Sequence, residues 1–277
     1  MNVLLNLLLV IKFGLGVAGV GIATSVSSYL SCTLLVVFMM RMDGPLKIEF
    51  KKVAINKKIL SKIVRIGLPA GIQGMVFSFS NVVIQSAINS FGSAVIAGSS
   101  AASSIEGFVY ISMNSVSQTC VTFVGQNYGA SDEKRVKRVI FDCLGIVTVV
   151  GLMLGNLAYA FGAPLLSIYT DSSTAIAAGL IRMRWVCCPY VLCGIMDCLT
   201  GGLRGLGKST LPMFMSIGGA CVSRLIWIAT YFRFHHTQDV LFFSYPGSWT
   251  LTILMHTTCL IIAYKMWIKK KYSNNYI

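Results

Sequence analysis

Stretches of about twenty apolar residues recur along this chain, and that recurrence limits what it can fold into. A bilayer core about 30 Å thick needs about 20 consecutive apolar residues in a helix. Seven stretches are long enough: about 16–40, 66–91, 94–124, 138–163, 176–203, 209–232 and 247–268. An eighth, Val3–Ile11, is only half a span. No alternating ten-residue strand pattern recurs, so helices rather than a barrel satisfy the backbone in lipid. The predicted fold is an all-α polytopic transmembrane helix bundle with seven full spans and a partial N-terminal one. Composition agrees: 12% of the 277 residues are charged, against roughly a quarter in soluble domains.

The net charge of +14 invites a nucleic-acid reading, but the basic residues form neither one patch nor an aromatic-interleaved face. They sort by loop instead. Residues 41–65, 134–138, the turn with Arg204 and Lys208, and the stretch from Lys265 through Lys271 hold 18 of the 23 lysines and arginines. These loops alternate along the chain, so the positive-inside bias places them, and the C-terminus, in the cytoplasm. The opposite loops and span ends hold Lys12, Arg182, Arg184, Arg224 and Arg233, of which Arg224 alone reads as deep and basic. Residues 41–65 also space Ile48, Phe50, Val53, Ile55, Ile59, Leu60 and Ile63 among lysines, as a surface-lying amphipathic helix does. Met1–Ala18 lacks the positive charge that precedes the apolar run of a signal peptide.

Two of the nine acidic residues lie deep within spans: Glu106 within Ala94–Val124 and Asp197 within Trp185–Leu203. A carboxylate at membrane depth is costly and marks an ion, proton or substrate path. Other polar residues share their helical faces. Ser99, Ser103, Glu106, Tyr110, Asn114 and Ser117 recur every three or four residues. Ser78, Asn81, Gln85 and Asn89 do so on the preceding span, with Gln73 nearby, and Tyr190, Cys193, Asp197, Gly201 and Arg204 on a later one. Such faces enclose a shared polar cavity or hydrogen-bond helices together. Pro189 removes a backbone donor shortly before Asp197 and predicts a bend there.

Several motifs point away from enzymology. Gly202–Ser209 matches the phosphate-binding GxxxxGK[ST] pattern, but an apolar span precedes it where a strand is required. His235, His236 and Asp239 offer no fourth metal ligand. The nine cysteines lack CxxC spacing and read as small packing residues. No catalytic set, metal site or resident cofactor is predicted.

Several ordered segments resemble the MATE (multidrug and toxic compound extrusion) transporters. Gly67-Leu-Pro-Ala-Gly-Ile-Gln73 and Ser80-Asn-Val-Val-Ile-Gln85 look like the seventh helix of that family. Phe123-Val-Gly-Gln-Asn-Tyr-Gly-Ala130 resembles the turn after the eighth, and Gly201-Gly-Leu-Arg-Gly-Leu-Gly207 the turn after the tenth. Ser244-Tyr-Pro-Gly-Ser-Trp249 resembles the entry to the twelfth, and Asn6–Thr24 the end of the fifth and start of the sixth. The resemblance implies two six-helix lobes, with residues 1–40 the end of the first, 41–65 a basic cytoplasmic linker, 66–268 the second lobe and 269–277 a tail. The implied function is a plasma-membrane antiporter that exports cationic or amphipathic small molecules, driven by Na+ or H+. Glu106 and Asp197 would carry the coupling ion or meet substrate charge, and Gln73, Asn81, Gln85, Tyr110 and Asn114 would line the path. The family's first-helix aspartate has no counterpart here, and the seventh-helix segment carries no acid. The expectation is therefore an N-terminally truncated form. The alternatives are a non-transporting fragment, a half-transporter that needs a partner lobe, and a flippase of related fold for lipid-linked substrates.

Overall fold

The computed structural model describes residues 1–44, 47–50 and 54–273. Residues 45–46 and 51–53 of the expected linker, and 274–277 of the expected tail, lie outside the described residues. The chain divides into two compact units, Met1–Leu60 and Ser61–Ile277.

In the first unit, α1 (Asn2–Asn6) continues through a π-helical turn, Leu7–Lys12. Positive-φ glycines, Gly14 and Gly16, then turn the chain into α2 (Gly16–Arg41). The half span thus becomes a short helix laid against α2, where Gly19 sits against the backbone of Leu9. Asn2 reaches across to Thr24, 3.4 Å away.

The second unit contains the rest of the bundle, apart from the first four residues of its first helix. α3 (Lys57–Asn89), α4 (Ser93–Gly129) and α5 (Glu133–Ala160) are long helices. α6 (Gly162–Ser167) is short, and α7 (Ser173–Val186) and α8 (Tyr190–Gly205) follow it. Next comes one nearly continuous helical rod: α9 (Thr210–Ser216), a π turn at Ile217–Val222, α10 (Ser223–Trp227) and a second π turn at Ile228–Phe232. α11 (Gln238–Ser273) closes the order. Among the described residues, six helices are long and apolar enough to cross a membrane, or seven if α7 and α8, bent by 45° at their junction, count as one span. The all-helical bundle expected from the apolar runs is what forms.

Two boundaries differ from the sequence reading. The amphipathic stretch expected on the membrane surface is helical from Lys57 onward, where it runs without interruption into the span. The helix also continues through Gly67 and Pro69. The stretch 176–203 is two helices. Pro189 has no N–H to donate, and the chain turns through Cys187–Pro189 before Tyr190 N–H resumes bonding, to the Cys187 carbonyl.

α4 is the hub of this unit and packs on α5, α7 and α8. Its buried positions, from Gly98 through Ala102, Ile105, Val109, Met113, Ser117 and Cys120 to Val124, step by three or four residues. Lipid is as apolar as leucine, so helices in a bilayer associate through close packing of small residues rather than by hiding apolar surface. Gly98 and Gly201 do this here. A side chain at Gly98 would strike the α7 backbone at Ala175, and one at Gly201 would come within 2.8 Å of the Ser117 carbonyl oxygen. Large apolar side chains such as Phe108, Ile111, Met153 and Leu157 point outward instead.

Candidate functional site: a charged cavity among α3, α4, α8, α10 and α11

The polar faces converge on one cavity of about 500 Å³ within the second unit. α4 contributes Glu106, Tyr110, Asn114 and Ser117; α8 contributes Tyr190, Cys193, Asp197, Thr200 and Arg204. α3 brings Gln73, Phe77 and Asn81, while Arg224 of α10 and Tyr245 and Trp249 of α11 complete the wall. Gln73, Asn81, Tyr110 and Asn114 therefore face the cavity together with both acids. Gln85 does not: it is exposed and donates to its helix neighbour Asn89, 3.1 Å away. It continues the stripe of Asn81, but four residues carry it about 6 Å further along the axis, past the end of the cavity.

The two acids have different surroundings. Glu106 is buried and accepts two parallel hydrogen bonds from Arg182 on α7, Nε to Oε1 and Nη2 to Oε2, each 2.8 Å long. Both side chains are less than a tenth exposed. This fork-to-fork arrangement is the strongest form of ion pair and fixes the orientation of both partners. The Arg182 guanidinium also lies 5.6 Å from the Phe242 ring. The sequence reading that Arg224 is the only deep basic residue is thereby corrected. Arg182 follows the apolar run Ala175–Ile181, and a helix face turned toward Glu106 carries it inward.

Asp197 is partly accessible, and its carboxylate lies beside the Tyr110 hydroxyl and within electrostatic reach of Arg204. No ion pair within 4 Å is formed by Asp197 among the described residues. α8 is held to α4 just below it, where Ser117 Oγ donates to the Asp197 backbone carbonyl at 2.7 Å. Arg204, two turns along, is engaged elsewhere: its Nη2 donates to Gln73 Oε1 at 2.8 Å. Gln73 Nε2 donates in turn to Ser216 Oγ at 2.9 Å, and Ser216 meets His256 Nε2 at 3.2 Å. His256 Nδ1 lies 3.3 Å from Thr200 Oγ1, which returns the chain of contacts to the cavity wall. The sequence reading does not single out His256, which is fully buried. A histidine amid an apolar span is the available signal.

The third cation, Arg224, is 3% exposed. Its Nε donates to Ser248 Oγ at 2.7 Å, and its guanidinium sits 4.4 Å from the Tyr245 ring and 5.8 Å from that of Trp249. Tyr190 stacks on Trp249 at 5.6 Å, so one wall of the cavity is aromatic. The three residues weighed above as metal ligands go to separate partners: His236 to Ser90, His235 onto Tyr231, and Asp239 to the Trp185 indole.

Comparison with known proteins adds to this geometry. Residues 69–229 match the family model described as MatE. The chain is 25% identical over 97% of its length to the probable multidrug resistance protein YoeA of Bacillus subtilis (strain 168), covering 58% of it. It is 21% identical over 82% of its length to the multidrug export protein MepA of Staphylococcus aureus (strain NCTC 8325 / PS 47), covering 51% of it. Among solved structures, the Vibrio cholerae MATE transporter VcmN in its bent form aligns with 97% of the chain at a TM-score of 0.77 and 18% identity, with 60% of that structure covered. The chain thus spans between 51% and 58% of the length of these two curated relatives.

Proposed function

Because the chain belongs to the MatE family, we propose that it works in a secondary antiporter that exports amphipathic small molecules, cationic ones among them, across the plasma membrane. Residues 66–268 would be the second lobe, residues 1–40 the end of the first, 41–65 the cytoplasmic linker, and the C-terminal tail cytoplasmic. The name of MepA, a multidrug export protein, supports the direction of transport, and that of YoeA, a probable multidrug resistance protein, agrees with the substrate class.

The observation that carries the reading is Asp197: a carboxylate on the wall of a membrane-depth cavity, without a close ion-pair partner among the described residues. Such a group binds a proton or Na+ from one side and releases it to the other when the helix moves. The break at Cys187–Pro189 lies two turns before it and gives α8 a place to pivot. Glu106 holds Arg182 instead. Its charge is already neutralised, so it positions the cavity wall rather than carrying the ion. Gln73, Asn81, Tyr110 and Asn114 supply hydrogen-bonding groups along the path.

The test is ethidium movement in vesicles reconstituted with the protein, under Na+ and H+ gradients imposed separately. Asp197→Asn is expected to lower gradient-driven movement by about tenfold or more, the scale of a coupling free energy of 1–3 kcal/mol. Movement in Asp197→Asn that still follows either gradient at the wild-type rate would sink the reading.

A further inference from the structure

We infer that Arg224 forms an oxyanion-binding subsite in this cavity, taking the carboxylate or phosphate of a molecule whose apolar body lies on the Tyr190, Tyr245 and Trp249 rings. This goes beyond the proposed function, which concerns the coupling ion and assigns no site to a negative group.

Three arginines lie in or behind the cavity. Arg182 is neutralised by Glu106 through two hydrogen bonds. Arg204 donates to Gln73 and has Asp197 as its electrostatic neighbour. Arg224 has neither arrangement. It makes no ion pair among the described residues, and its electrostatic neighbours are tyrosines and cysteines rather than carboxylates. A buried guanidinium without an anion is costly unless something compensates it.

Its hydrogen bonding shows where compensation enters. Guanidinium carries five N–H donors. Among the described residues only Nε has an acceptor, Ser248 Oγ. The Nη groups keep some accessible surface, and the side chain lines the cavity. The four Nη donors are therefore left without a protein acceptor among the described residues, on a side chain that lines the 500 Å³ cavity. Ser248 fixes one edge of the fork and Tyr245 covers one face at 4.4 Å. The edge left over is the one that grips a carboxylate or phosphate with two parallel bonds. The adjacent aromatic wall is where an apolar or aromatic body would stack. The cavity then offers Arg224 to a negative group and Asp197 to a positive one, so a zwitterion satisfies both.

Two ligands with the same ring and opposite charge test this: 2-naphthoate and 2-naphthylmethylammonium, with neutral 2-naphthamide as the shape control. Binding to the protein in phosphatidylcholine nanodiscs is measured by calorimetry with no ion gradient, so its failure leaves the Asp197 reading untouched. Wild type is expected to bind naphthoate about tenfold or more tighter than naphthamide, and Arg224→Gln to lose that preference while binding the ammonium at least as tightly as wild type does. Arg224→Lys keeps the charge but not the fork, and is expected to retain only part of the preference. Equal wild-type affinity for naphthoate and naphthamide would overturn the subsite without any variant having to fold. A naphthoate preference undiminished in Arg224→Gln would overturn it as well. Phosphatidylglycerol in the nanodiscs separates the sources of the oxyanion. Loss of naphthoate binding would show a lipid headgroup on Arg224, and unchanged binding a free solute; both support the subsite.

Discussion

Glu106 and Asp197 line the same cavity from α4 and α8, and sequence alone gives them the same standing: each is a lone carboxylate in a span. Their surroundings set them apart. Glu106 meets Arg182 in a two-bond pair whose side chains are both less than a tenth exposed. Asp197 faces the cavity, with a tyrosine hydroxyl beside it and an arginine that bonds elsewhere. The difference lies in what a third helix supplies. α7 delivers a cation to Glu106 across 76 residues of sequence, and no helix delivers one as closely to Asp197 among the described residues. A paired buried charge holds helices in register, whereas an unpaired one at a cavity wall is available to a ligand.

The largest effect expected from breaking this contrast is on stability. Arg182→Met leaves Glu106 as an uncompensated buried charge and is expected to cost roughly 3–5 kcal/mol. Adding Glu106→Leu removes the orphaned charge and should restore most of that loss. The readout is thermal unfolding in detergent, followed by the fraction of protein eluting as a monodisperse species. Asp197→Asn removes a charge that no cation closely neutralises, so it should leave unfolding nearly unchanged while affecting transport. If Arg182→Met unfolds like wild type, the Glu106 pair is not structural and the two acids regain equal standing.

A smaller effect separates the tight side of α8 from the open side of α4. A methyl at Gly201 would sit 2.8 Å from the Ser117 carbonyl oxygen and 3.3 Å from Ser117 Oγ. Gly201→Ala must push α8 from α4 and disturb the hydroxyl that holds the Asp197 backbone. A cost of about 1–3 kcal/mol follows from overpacking. Gly107, next to Glu106 on α4, has open space where a methyl would go. Gly107→Ala should therefore be neutral, or stabilising by up to about 1 kcal/mol. The same unfolding assay reads both; equal costs would mean that close approach at Gly201 does not hold the helices.

The parts of this structure visible in sequence are those written in one helix at a time. Apolar length marks the spans, Pro189 the bend, and three-to-four spacing the faces of Asn81, Glu106, Tyr110, Asn114 and Asp197. What stays hidden depends on two helices meeting. Arg182 reads as a loop-side arginine because nothing in residues 173–186 says that this helix faces Glu106. Gln85 reads as a cavity residue because periodicity fixes a direction around the axis and not how far the cavity extends along it. His256 lies alone on its span, and its role as a junction emerges only when Ser216 and Thr200 arrive from two other helices.

That junction sets the smallest effect. The contacts from Arg204 through Gln73 and Ser216 to His256 tie α3, α8, α9 and α11 behind the cavity. Hydrogen bonds between helices in a bilayer average only about 0.6 kcal/mol each, because the unfolded helices find other partners there. Gln73→Leu cuts two of them and is expected to lower stability by about 1 kcal/mol. Its larger consequence is electrostatic. Arg204 loses the acceptor that holds it toward α3, which frees its guanidinium to turn toward Asp197, the carboxylate within its electrostatic reach. Gln73→Leu should therefore make Asp197 resemble Glu106, so that gradient-driven ethidium movement falls while unfolding barely shifts. Gln73→Glu keeps a carbonyl-type acceptor for Arg204 and should preserve movement better than leucine does. Equal transport in Gln73→Leu and wild type would show that Arg204 does not turn, and that more than one glutamine keeps Asp197 open.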